Sequence, residues 1–212
     1  VEGGTDAQKK VFYTGLCHAL IHPNVLSDVN GEYPAMESAE IRTAEGNRYT
    51  VFSLWDTYRN LHQLMTLVYP ERQLEMVRSM IGMYKEWGWL PKWELYGRET
   101  FTMEGDPAIP VIVDTWMKGL RDFDMDAAYE AMRKSATTPG AQNRMRPDID
   151  PYVEKGYVPL GFYARDLSGD NSVSHALEYY IADHALSLLA DSLGRREDAA
   201  LFRNRSLGYK NY

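Results

Sequence analysis

The chain has one cysteine, Cys17, in 212 residues, so no internal disulfide supports the fold and cysteine usage says nothing of compartment. It has no long block of Lys or Arg. A formal charge of −7 leaves no basic stripe to neutralise phosphates, which argues against a nucleic-acid partner. No apolar run approaches the roughly 20 residues that cross hydrocarbon, so no membrane span is expected. A phosphate loop, a dinucleotide fingerprint and a Gly-x-Ser-x-Gly elbow are all missing, which removes three common enzyme readings. The opening Val1-Glu2-Gly3-Gly4-Thr5 holds no initiator Met and no charged-then-apolar signal peptide, and suggests a processed or excised piece.

What is present is an ordinary globular mixture, 44% hydrophobic and 25% charged, of a size that suits one domain. Fifteen Tyr, five Trp and six Phe stand beside thirty carboxylates. That bias suits either an aromatic core or a ligand with apolar faces and hydroxyl groups, as a sugar has.

Helical periodicity recurs along the chain. Phe12, Leu16, Ala19 and Leu20 predict a helix from Ala7 to about Ile21, capped by Asp6 and ended by Pro23. Residues 24 to 51 read as a loop with a short hairpin, 40–42 against 49–52 around Gly46-Asn47. Leu54, Tyr58, Leu61, Met65 and Val68 form one stripe and predict a single helix over 53–68. Pro70 starts a second, stopping near Trp87-Gly88. A loop of about 18 residues, long enough to suspect of function, precedes a helix after Pro107 that is apolar almost all round. Its partner runs from Asp124 or Met125 to about Thr137. Residues 138–171 read as a second long loop, then Ser172 caps a helix to about Leu193, closed by Gly194, and a last helix spans about 196–207. Seven helices, mostly in successive pairs, with almost no strand, predict an all-α architecture in which long loops build a site at one end. An odd count cannot close a ring of helical hairpins.

Two constellations carry chemistry. Asp56 and Arg59 lie three residues apart near a helix N-terminus, bracketed by Trp55 and Tyr58. They form either a surface ion pair worth well under about 1 kcal/mol or a reader of ligand hydroxyls. In Trp89 to Thr100, Glu94 and Glu99 are candidates for acid and base work, which in glycoside hydrolysis needs two carboxyls about 5 to 9.5 Å apart, or else they are solvated acids among packing tryptophans such as Trp93. Asp114 and Asp183-His184, inside apolar helices, must find buried partners. Weaker signals are Asp28 to Glu32 as a cation site, His18 and His22 as a metal pair, and Cys17 as a small core residue.

The runs Phe12-Tyr13-Thr14-Gly15-Leu16, His22-Pro23-Asn24, Tyr49 to Arg59, Gly88-Trp89-Leu90-Pro91-Lys92-Trp93 and Gly97-Arg98-Glu99-Thr100 resemble glycoside hydrolase family 92. Asp106 to Asp114 and Tyr179-Tyr180-Ile181-Ala182-Asp183 extend the likeness over nearly the whole chain. The resemblance implies an inverting, calcium-dependent, exo-acting α-mannosidase of the α-1,2 type, acting on mannan or N-glycans and exported to the periplasm or cell surface. It implies a partial (α/α)6 toroid, with an N-terminal β-sandwich and the rest of the ring outside residues 1–212. The family's Glu-Gly-Asn-x-x-Gln-Tyr run (general acid) and Asn-Asp-Asp-x-Gly-Gln run (base) do not occur here. The segment alone is therefore expected to be inactive, with no catalytic residue of its own and most calcium ligands in the remainder of the parent chain. Trp55, Asp56, Arg59, Trp93 and Glu99 carry over as substrate contacts, with Glu94 open in role and no metal ligand assigned. The competing readings are a non-catalytic carbohydrate-binding helical module, and a toroid hydrolase or lyase for uronates, against which the net charge of −7 speaks.

Overall fold

The computed structural model describes residues 2–162 and 171–212, and among them the chain is helix-rich with a few short strands. Helix α1 (Asp6–Ala19) begins one residue earlier than the periodicity predicts. Thr5, not Asp6, caps it: Thr5 and Gln8 bond each other's backbone amides in a capping box. No residue of α1 is buried. Val11, Phe12 and Tyr13 face outward, and Cys17, expected in the core, is exposed.

The predicted hairpin around Gly46-Asn47 does not form. Strand β3 (Ile41–Thr43) pairs antiparallel with β2 (Glu32–Pro34), and β4 (Tyr49–Thr50) pairs with β1 (Asn24–Val25), so the two arms belong to different sheets. A buried ion pair fastens this layer to helix α4 (Pro70–Trp87). Arg48 donates to Glu86 at 2.8 Å, and Glu86 also accepts from the Tyr33 hydroxyl at 2.9 Å and the Met36 amide at 2.7 Å. Gly82 on α4 makes room for that arginine, since a Cβ there would lie 2.5 Å from its Nη1.

The stripe over 53–68 becomes two helices, α2 (Leu54–Thr57) and α3 (Leu61–Val68), broken at residues 58–60. Helix α4 (Pro70–Trp87) follows with Pro70 at its first turn and Gly88 in the left-handed conformation at its end, φ 93°. Between α4 and α5 (Ala108–Met117) lies a hairpin, β6 (Trp93–Leu95) and β7 (Arg98–Glu99), which joins β5 (Phe52–Ser53) in one antiparallel sheet. Helix α6 (Met125–Thr137) is capped by Asp124, whose carboxylate accepts from the Ala127 amide. The second long loop contains a short helix, α7 (Ile149–Lys155), and its portion at 163–170 lies outside the described residues. Helix α8 (Ser172–Ser192) turns at Gly194 into α9 (Arg196–Ser206), with Asn171 rather than Ser172 at the N-cap position.

Helix α5 is central because it is apolar on nearly every face. Ile109, Val111 and Ile112 are fully buried against Val77 and Met80 of α4, Met132 of α6 and Leu186 of α8. The exception to the expectation is Asp114, which reaches the surface and pairs with Lys118 at 2.7 Å. A smaller cluster, Tyr152, Val158, Ala176, Tyr179 and Tyr180, packs α7 onto α8. No helix among the described residues is long and apolar enough to cross a membrane.

Candidate functional site

Leu54 anchors the site from below. It is fully buried, and its amide donates to the Lys92 carbonyl at 3.2 Å, so α2 leaves the end of β5 with Trp55 half-buried against the core and Asp56 and Arg59 exposed. Asp56 is exposed and accepts a short bond from the Ser53 hydroxyl. Of the two readings of Asp56 and Arg59, the surface ion pair does not form. α2 ends at Thr57, which removes the regular turn that brings residues three apart together. Arg59 instead lays its guanidinium over the Trp55 ring at 4.8 Å and the Tyr58 ring at 5.2 Å, and donates through Nε to the Trp55 carbonyl at 3.1 Å.

The partner of this corner is Glu178 on α8. Its carboxylate accepts from Trp55 Nε1 at 3.0 Å, from the Tyr58 hydroxyl at 2.7 Å and from Arg59 Nη2 at 3.3 Å. Burial and then the Glu178 bond hold the Tyr58 phenol well above its usual range. Gly105, at φ +76°, passes so close behind that a Cβ there would sit 2.5 Å from the Glu178 Cβ. Glu178 was missed by sequence reasoning. Nothing in the spacing of α8 set it apart, since Asp183, His184 and Asp191 are charged or titratable residues of the same helix.

Glu94 and Glu99 face each other across β6 and β7, and each is spent on folding its own loop. Glu94 accepts from the Thr50 hydroxyl at 2.8 Å, the Val51 amide at 3.0 Å and the Gly97 amide at 2.5 Å. Glu99 accepts from the amides of Lys92 at 2.7 Å, Trp93 at 3.0 Å and Phe101 at 2.8 Å. Burial pushes both carboxyls up, and these donors pull them back. Val51, Tyr96 and Phe101 adopt positive φ of 60°, 49° and 56°, so the carboxylates hold backbone that would otherwise relax. Trp93, half-buried and opposite Ser53 in register, leaves its buried indole Nε1 without a partner.

Beneath the hairpin lies a charged layer. His175 stands between Glu104, 2.5 Å from Nε2, and Asp148, 2.9 Å from Nδ1, which also accepts from the Tyr179 hydroxyl at 2.6 Å. Arg146, fully buried, bridges Asp106 at 2.9 Å and Asp183 at 2.7 Å, and Asp183 also meets Arg205 at 2.9 Å and the Tyr152 hydroxyl at 2.9 Å. Asp183 thus finds the buried partners the sequence demanded, while its neighbour His184 faces solvent. Lys92 lies buried here, its Nζ donating to the Met145 carbonyl at 2.9 Å.

These carboxylates do not fit a calcium shell, because both oxygens of Glu94, Glu99, Asp148, Asp183 and Glu178 are already engaged by N–H and O–H donors, and Asp106 Oδ2 by Ser135 and Arg146. Among the described residues no group of three or more His, Cys, Asp or Glu side chains is arranged to hold a metal ion. Around Asp28 the polar side chains make turn bonds, as Asn30 does with the Glu32 amide at 3.1 Å, and His22 bonds Asn24 rather than His18.

The whole chain, residues 1–212, matches the family model described as the glycosyl hydrolase family 92 catalytic domain. A family 92 α-mannosidase of Bacteroides thetaiotaomicron, solved in complex with mannoimidazole, superposes with a TM-score of 0.84 at 37% identity over 96% of this chain and 26% of that one. An inverting mannosidase of the same family and organism gives a TM-score of 0.87 at 31% identity, over 99% of this chain and 28% of that one. An uncharacterized secreted glycosidase of Arthroderma benhamiae is 31% identical over 201 residues, 92% of this chain and 22% of the relative. The chain spans about a quarter of the length of the proteins it matches. On the full-length family match and these mannosidase neighbours, the chain belongs to glycoside hydrolase family 92.

Proposed function

We propose that this chain is part of the (α/α)6 catalytic domain of an inverting α-mannosidase of the α-1,2 type that releases mannose from N-glycans or mannan in the periplasm or at the cell surface. The observation that carries the reading is the Trp55–Asp56–Arg59 corner. An exposed carboxylate and a half-exposed guanidinium stacked on the Trp55 indole stand side by side, and a hexose offers matching hydroxyls that donate to Asp56 and accept from Arg59. Trp93 lies on the adjoining strand. Glu99 contributes by shaping the loop that carries Trp93, since its carboxylate binds the Trp93 amide.

Inverting hydrolysis needs an acid on the leaving oxygen and a base on water at the opposite face, about 6.5–9.5 Å apart. Glu94 and Glu99 are closed off by amides and the Thr50 hydroxyl, so neither has a free oxygen for water or a leaving group. The acid and base then belong to the rest of the parent protein, as does most of a calcium shell. The test is hydrolysis of α-1,2-mannobiose followed by proton NMR. The full-length protein is expected to release β-mannose first, and residues 1–212 alone to release none. Initial α-mannose, no turnover by the full-length protein, or turnover by the segment that Glu99→Gln abolishes would each count against the reading.

A further inference from the structure

Three side chains of the corner converge on one carboxylate carried by a helix 123 residues further along the chain from Trp55. We propose that Glu178 is a positioning residue for this corner: its carboxylate locks the Trp55 indole and the Arg59 guanidinium in the stacked arrangement that meets the sugar, and Gly105 is the backing that keeps the carboxylate in place. The proposal rests on the mannosidase reading above for its substrate, and on the contacts alone for its geometry.

Both carboxylate oxygens are engaged, Oε1 by Trp55 and Arg59 and Oε2 by Tyr58, so Glu178 acts through these neighbours rather than on the substrate. Its side chain is 12% exposed while that of Arg59 is 49% exposed. A half-exposed arginine samples many rotamers, and pairing with a nearly buried, fixed acceptor selects one. The indole N–H bond does the same for Trp55, because a ring held at both its edge and its face cannot swing. The backing is equally specific. Gly105 has positive φ and no room for a Cβ, so the backbone lies directly against Glu178 and blocks its retreat.

The experiment uses the full-length protein with α-1,2-mannobiose. Glu178→Gln keeps the shape but sets an amide N–H against at least one of three donors. It is expected to raise KM about tenfold and to change kcat less than about threefold, because the corner binds ground and transition states alike. Arg59→Lys is expected to raise KM by itself, and adding Glu178→Gln to it should cost clearly less than the roughly tenfold it costs alone, since the Arg59 part of the lock is already disturbed and only the Trp55 and Tyr58 bonds are left to lose. An unchanged KM in Glu178→Gln, or effects that multiply in the double variant, would overturn the proposal. If Glu178→Gln does not fold, Gly105→Ala displaces the same carboxylate by steric contact, and a normal KM in that variant overturns the proposal equally. Should the wild-type protein hydrolyse no mannoside, the mannosidase reading fails and positioning is decided without substrate. Acrylamide quenching assigned to Trp55 by comparison with Trp55→Phe must rise about twofold in Glu178→Gln if the lock exists. Unchanged quenching sinks it.

Discussion

His62 and His175 are 1% and 4% exposed, yet they take opposite charge states. Burial disfavours the imidazolium at both. At His62 burial prevails and lowers the pKa to about 4, against the bond to the Gln73 amide oxygen at 2.9 Å and the charge of Asp114, while the Thr57 hydroxyl lies 3.0 Å from the other ring nitrogen. Gln73 donates its N–H₂ to Thr115 at 3.0 Å, so its oxygen accepts from Nδ1–H, while the Thr57 hydroxyl near Nε2 also has the Ser53 carbonyl at 3.1 Å as an acceptor. At His175 burial is overturned by the bonds to Asp148 and Glu104, which hold the pKa at about 9. The partners, not the degree of burial, decide the charge. The joint that holds α2 is thus fixed by a neutral relay, whereas α7, α8 and the loop behind Glu178 are fixed by ions.

The contrast breaks most visibly at Arg146. Arg146→Met leaves Asp106 and Asp183 with one compensating charge fewer in the fully buried layer, and is expected to cost about 3–5 kcal/mol of unfolding free energy in urea melts of the intact protein. No single change in the neutral relay should approach that figure. A loss below about 1 kcal/mol would mean the ionic layer is no stiffer than the relay.

Titration sharpens the comparison, because the two histidines give limbs on opposite sides of neutrality. His175 has its pKa raised from 6.5 to about 9 on folding. Its contribution is complete below pH 6.5 and is lost as pH rises through about 9, at about 3 kcal/mol in total. His62 has its pKa lowered from 6.5 to about 4. Its contribution is complete above pH 6.5 and is lost as pH falls through about 4, again about 3 kcal/mol. Melting temperature against pH in wild type, His175→Gln and His62→Gln separates them. His175→Gln should flatten the alkaline limb and also shrink the acid limb through Asp148, whose carboxyl is held down, against burial, by the His175 bond and charge, whereas His62→Gln should remove only its share of the acid limb.

Much of this was legible in the chain, and the failures have one cause. Helices α4, α5, α6, α8 and α9 follow from apolar spacing, Pro70 and the closing glycines because those signals act within a few residues. The break after Thr57 was not legible, since Leu54, Tyr58, Leu61 and Met65 keep helical spacing straight through it, and the groups holding the joint, His62 with Gln73 and Glu178 with Tyr58, come from other elements. Strand pairing failed for the same reason: β3 and β4 look like one hairpin until β1 and β2 claim them. In the site, Trp55, Asp56 and Arg59 stood out as a set, but the guanidinium's true partner lies 119 residues away. Glu94 and Glu99 were legible as unusual acids and not as hairpin clasps, because their partners are mainly backbone amides that every residue carries.

The finest test lies inside the relay. Gln73→Leu removes the acceptor of His62 Nδ1–H and one donor to Thr115, while the Thr115 hydroxyl keeps its bond to the Val111 carbonyl at 2.8 Å. One buried donor is orphaned, so the expected loss is about 1–2 kcal/mol at pH 7, well under that of Arg146→Met. The pH dependence carries the sharper expectation. The Gln73 bond supports the protonated ring, so losing it drives the folded pKa of His62 still lower. The acid limb of stability should therefore lengthen toward lower pH in Gln73→Leu, whereas in His62→Gln its histidine share disappears. Matching acid limbs in the two variants would show that Gln73 is mere filling and that the joint under α2 is held by packing alone.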